Sequence, residues 1–122
     1  MFQRVFLFAQ LGVASVLAGL HIYAMTNFYY WIYPWFDIPT HLLGGIWAGL
    51  FVAWILALRQ KSPAFILCIA GALSLGIVWE VFETANGLTQ FPAGTLDTVK
   101  DLTTDVIGGS AAALFARYIT RP

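Results

Sequence analysis

The run Pro39–Leu58, PTHLLGGIWAGLFVAWILAL, decides the fold. It has the length of a membrane helix, which needs about 20 apolar residues to cross a hydrocarbon core of ~30 Å, and its only ionisable side chain, His41, stands near one end. Three further segments match it: about Phe2–Met25, about Pro63–Asn86 and about Thr98–Ile119. The expectation is an all-α, four-transmembrane-helix bundle forming a single integral membrane domain over residues 1–122, with helices about 2–25, 39–58, 63–86 and 98–119. Arg4 followed by Val5–Leu20 has the look of a secretion signal, but the apolar run continues through His21–Met25 and reads as an uncleaved first span.

Composition agrees. The chain has 122 residues, 60% hydrophobic and 10% charged, too few polar groups to cover a water-facing surface. The solvent is therefore the lipid bilayer. A formal net charge of zero argues against nucleic acid as a partner. The single cysteine, Cys68, sits in an apolar run, where it reads as a small buried hydrophobe.

Breakers and caps mark the ends of the segments. Ser62-Pro63 predicts the start of the third, Gly87 its end, Asp37 with Pro39 the start of the second and Asp97-Thr98 the start of the fourth. Gly45-x3-Gly49, Ala72-x3-Gly76 and Gly108-Gly109-Ser110 offer small surfaces for close helix packing. Residues 27–36 hold seven aromatic side chains and read as an interfacial belt. Residues 88–96 are too few and too apolar for a separate soluble element and should stay at the interface.

Charge orients the bundle. Of six basic residues, Arg4, Arg59, Lys61, Arg117 and Arg121 fall on one face and Lys100 on the other. The positive-inside rule makes the first face cytoplasmic, with both termini there. All six acids and both histidines gather toward the opposite face. Asp37 and His41 are four apart, Glu80 and Glu83 three apart, and Asp97, Asp101 and Asp105 repeat at four, so each set shares one helical face.

Acids at a helix N-terminus need no function beyond capping, which accounts for Asp37 and Asp97. Glu80 and Glu83 lie at a C-terminal end, where the dipole disfavours them, and they need a proton, a cation or a buried partner. The expected metal ligands are Asp37, His41, Glu80, Glu83, Asp101 and Asp105, with Asp97, His21 and Lys100 as accessory residues. This oxygen-rich set with an imidazole suits magnesium, calcium, manganese, zinc or iron. Catalytic residues are not identifiable. No Ser-His-Asp or Cys-His pairing stands out, so any hydrolytic chemistry would use a metal-activated water on a lipid or envelope substrate. His21 near Ala18 and Gly19 could ligate haem or chlorophyll, but hydrogen bonding inside the bundle is the expectation. The small size and the aromatic loop also suit a non-catalytic accessory subunit with protein partners, as in a photosynthetic or respiratory assembly.

Phe36-Asp37, His41, Gly44, Trp79-Glu80-x-x-Glu83, Gly94, Asp97-Thr98-x-x-Asp101-Leu102-x-x-Asp105 and Gly108 together resemble the YjdF-type bacterial inner-membrane proteins and, more faintly, VanZ-like proteins. The resemblance spans about residues 36–111. It implies a multi-helix protein of the bacterial inner membrane with these acids and the histidine at its core, and it implies no activity. The chain departs from the pattern at Thr95, where an acid is expected, and at Lys100, where a neutral residue is expected.

The charge asymmetry makes a prediction. Single-cysteine variants at both termini should react with impermeant thiol reagents only from the cytoplasmic side; labelling of the C-terminus in intact cells would overturn the orientation.

Overall fold

The computed structural model describes residues 1–89 and 93–121. Among them are five helices and no strands: α1 Phe2–Thr26, α2 Tyr29–Ile32, α3 Asp37–Leu58, α4 Phe65–Ala85 and α5 Thr95–Ile119. α1, α3 and α4 are long and apolar enough to cross a membrane. α5 has comparable length, 25 residues, but Asp97, Lys100, Asp101 and Asp105 fall in its first three turns, so its composition does not mark it as a span.

Several helix starts differ from expectation. α4 starts at Phe65 after Ala64, leaving Ser62-Pro63 in the preceding loop. α5 starts a turn early, at Thr95, and neither Asp97 nor Thr98 caps it. Lys100 takes Asp97 and Glu80 takes Thr98. α3 begins at Asp37, with Pro39 inside its first turn and no side-chain cap. The end of α4 follows expectation. Gly87 has φ +70°, Leu88 N donates to Glu83 O and Gly87 N to Thr84 O, which together form a Schellman turn. Of the 88–96 loop, residues 90–92 lie outside the described residues.

α5 is the hub. It packs along both α3 and α4, α3 also touches α4, and α1 lies against α3. α3 and α5 are parallel: Lys100 meets Asp37 and Asp105 meets His41, and the same separation of 63–64 residues continues where Gly108 abuts Gly45. α4 runs antiparallel to them, with Gly76 at Asp105 and Ala72 at Gly109.

Each contact is a ridge of every fourth residue. Cys68, Ala72, Gly76 and Glu80 are the buried residues of α4, while His41, Gly45, Gly49 and Ala53 lie on the buried side of α3. A Cβ on Gly45 would run into the Asp105 backbone, one on Gly76 into the Asp105 carboxylate, and one on Gly108 into the Leu42 carbonyl oxygen. The interior is thus mostly small residues, closed at the basic end by Phe6, Leu50, Cys68 and Ala113. Large apolar side chains such as Phe8, Val16, Ile66 and Val78 face outward, the inside-out arrangement of a bundle in lipid.

The aromatic loop folds as a small cluster. Tyr29 makes edge contacts with Tyr23, Tyr33 and Phe36, while Trp31 and Trp35 remain exposed. Burial raises the Tyr30 phenol above its ordinary value and keeps it protonated beside His21.

Gly108→Ala should destabilise the bundle by about 1–3 kcal/mol, because the new methyl meets the α3 backbone and cannot be relieved by a side-chain rotation. Gly44→Ala, with nothing within 4 Å of the added Cβ, should be neutral or stabilising by about 0.5–1 kcal/mol. Thermal unfolding in detergent compares the two.

Candidate metal centre

The site lies where the acidic ends of the three ridges meet. His41 is one turn into α3. Glu80 is about 7–8 Å from the last residue of α4, and Asp101 and Asp105 are about 9 and 15 Å into α5, at ~1.5 Å per residue. All four side chains are buried, with 9%, 6%, 2% and 4% of their surface exposed respectively.

His41 stands between two aspartates. Its Nδ1 is 3.2 Å from Asp105 Oδ1 and 3.3 Å from Oδ2, and its Nε2 is 3.5 Å from Asp101 Oδ2. Each ring nitrogen thus faces a carboxylate, and Asp105 at Nδ1 is placed as the carboxylate that orients a metal-binding histidine through its other nitrogen. Gly76 makes room for it, since any side chain at that position would displace the Asp105 carboxylate.

Glu80 joins from α4. Thr98 Oγ1 donates to Glu80 Oε2 at 2.6 Å, while Glu80 Oε1 is buried without a hydrogen-bond partner. One ligand atom each from His41, Glu80 and Asp101 lie within 4.8 Å of one another, so this buried group could hold a metal ion.

A second group, Asp37, Asp97 and Asp101, has one oxygen from each residue within 4.8 Å of the others and holds Lys100. Lys100 Nζ is 2.8 Å from Asp37 Oδ2, 2.7 Å from Asp97 Oδ1 and 3.4 Å from Asp101 Oδ1. The last contact is an ion pair without hydrogen-bond geometry, and Asp101 Oδ1 and Asp37 Oδ1 have no hydrogen bond.

The remaining residues singled out in the sequence have other hydrogen-bond partners. Glu83 accepts from Trp79 Nε1 at 3.0 Å and from Thr89 Oγ1 at 3.3 Å, outside the three-residue group. His21 Nδ1 is 2.8 Å from Tyr30 Oη. Thr98 and Gly76 are the parts the sequence reading missed as site residues. Thr98 has a signal, since it precedes Asp101 by three and shares its face. Gly76 reads in the sequence only as part of a small packing surface, because its role at the site is the space it leaves for a residue 29 positions away.

Beside Glu80 a groove of about 470 Å³ opens between α4 and α5. Ile77, Val81, Ala85 and Leu102 give it apolar walls, and Glu80 and Thr98 lie along it.

Residues 4–121 match the family described as Predicted membrane protein (DUF2238), and the chain belongs to that family. This agrees at a coarse level with the YjdF-type resemblance: a membrane protein family. Neither a curated protein nor a solved structure matches the chain.

The His41–Asp105 pair can be checked directly, because the chain has only two histidines. ¹⁵N spectra of histidine-labelled protein should show the His41 proton on Nδ1. Asp105→Ala should mix the tautomers and destabilise the bundle by about 1–3 kcal/mol, as expected when a buried polar group loses its partner. A wild-type ring protonated on Nε2 alone would contradict the arrangement.

Proposed function

We propose that this member of the DUF2238 membrane family binds one divalent metal ion through His41, Glu80 and Asp101, with Asp105 orienting the imidazole. One observation carries the reading: three ligands from three helices converge within 4.8 Å, buried, with Glu80 Oε1 lacking a hydrogen bond. Charge balance supports it. Glu80, Asp101 and Asp105 are buried beside a single histidine, Lys100 is shared with Asp37 and the half-exposed Asp97, and uncompensated buried carboxylates are strongly disfavoured in a low-dielectric interior. An imidazole among carboxylates favours zinc, iron or manganese over the all-oxygen preference of magnesium and calcium. Asp37 is better placed as a partner of Lys100 than as a ligand to this ion, and Glu83 as a brace for the end of α4.

The wider reading is a single domain of four membrane-spanning helices in the bacterial inner membrane, termini cytoplasmic and site extracytoplasmic. α5 crosses as the fourth span with its acids shielded by α3 and α4. Three protein ligands leave coordination positions open for water or substrate. The apolar groove beside Glu80 supports a lipid as the molecule acted on, because its walls match acyl chains. The metal would supply an activated water there.

Purified protein should carry about one equivalent of zinc, iron or manganese by elemental analysis, the stoichiometry of one three-ligand centre. His41→Ala, Glu80→Leu and Asp101→Ala should abolish retention, and Asp105→Ala should weaken affinity about 10–100-fold, as loss of an orienting partner does. Glu83→Gln should retain the metal. A metal-free wild type that stays folded and takes up none of these ions would overturn the reading and favour an accessory role in a larger assembly.

A further inference from the structure

Asp101 belongs to both groups of candidate ligands, and its two oxygens face different partners. Oδ2 faces His41 Nε2 at 3.5 Å, on the side of the proposed metal. Oδ1 faces Lys100 Nζ at 3.4 Å, and Lys100 is in turn held at 2.8 Å by Asp37 and 2.7 Å by Asp97. A carboxylate presenting one oxygen to each of two cations is the bridge of a two-metal centre, where the ions stand about 3.5–4 Å apart. Here the second place is filled by an ammonium group.

We infer that Lys100 is a built-in second cation: its Nζ fills a divalent-cation site formed by Asp37, Asp97 and Asp101, which Asp101 bridges to the metal at His41 and Glu80. An acidic cluster alone would not support this. Two further observations do. Asp101 is 2% exposed, and its Oδ1 is buried without a hydrogen bond although it points at the Lys100 charge. A cation of the chain already stands among all three carboxylates, so the position is one where positive charge is held. One oxygen from each aspartate lies within 4.8 Å of the others, the spacing needed for a shared ion. The set is oxygen-only, so the ion it would take in place of the ammonium is a hard one such as Mn²⁺ or Mg²⁺. A lysine in this place cannot dissociate, so the acids near the helix ends remain paired whether or not the proposed metal is bound.

The bridged geometry rests on the metal reading above, while the site under Lys100 stands on its own residues. The test is the uptake of Mn²⁺, read by elemental analysis and electron paramagnetic resonance on the full chain in detergent. Wild type should bind a single ion with the hyperfine pattern of isolated Mn²⁺. Lys100→Ala should double the stoichiometry and replace that pattern with the broadened signal of a coupled pair. Asp97→Asn in the Lys100→Ala background should return both readouts to wild type. If Lys100→Ala does not elute as a monodisperse species, Lys100→Gln removes the charge, retains most of the stem and carries the same expectation. A Lys100 variant that still binds one isolated ion overturns the inference and leaves the His41 centre intact. A wild type that binds two ions also overturns it. A wild type that binds none, with a Lys100 variant that gains one ion sensitive to Asp97→Asn, supports the inference and removes the metal reading at His41.

Discussion

Everything near the site depends on how closely α5 approaches α3 and α4. Lipid supplies no hydrophobic drive to bring helices together, so contact area and polar pairing must do it. Backbones come close only where side chains are absent, and Gly45, Gly76, Gly108 and Gly109 are placed where a Cβ would strike a neighbouring helix. That approach brings carboxylates from separate helices within a few ångströms of one imidazole.

The ridges serve two purposes along their length. At the basic end they carry alanine, glycine and cysteine and make a dry seam. At the acidic end the same every-fourth-residue positions carry His41, Glu80, Asp101 and Asp105. Side chains on such a ridge point into the helix contact, so the acids are buried by the same register that packs the small residues. This is why α5, the most polar helix by sequence, is the hub of the bundle and not an appendage lying outside it.

The division of labour among the charged groups follows from depth. Lys100 sits at the level of the first residue of α3 and takes the outermost aspartates, Asp37 and Asp97. One turn deeper, His41 and Asp105 form a pair fixed by the space at Gly76. Asp101 lies between the two layers and contacts both. Glu80, tied by one oxygen to Thr98 and buried without a hydrogen bond at the other, also lines the groove between α4 and α5. In this protein of the DUF2238 family, the proposed metal chemistry and the proposed access from lipid meet at that one side chain.

The sequence by itself determined the helical class, the lipid-facing composition and the gathering of acids at one end, because length, hydropathy and the spacing of four along a helix are local properties. It also showed that Glu80 needs a partner, since its unfavourable place near a helix C-terminus can be read without knowing any neighbour. It misplaced the start of α5, because Thr98 and Asp97 had better partners than their own backbone, and it set the start of α4 two residues early, at Pro63. Only the tertiary structure decided which acids meet. The register of α5 on α3 pairs Asp105 with His41 and Lys100 with Asp37, and the antiparallel α4 brings Glu80 in while leaving Glu83 on Trp79 and Thr89. That register is set by where glycines on one helix face backbone on another, a relation between residues some 30 to 60 positions apart that no local pattern encodes.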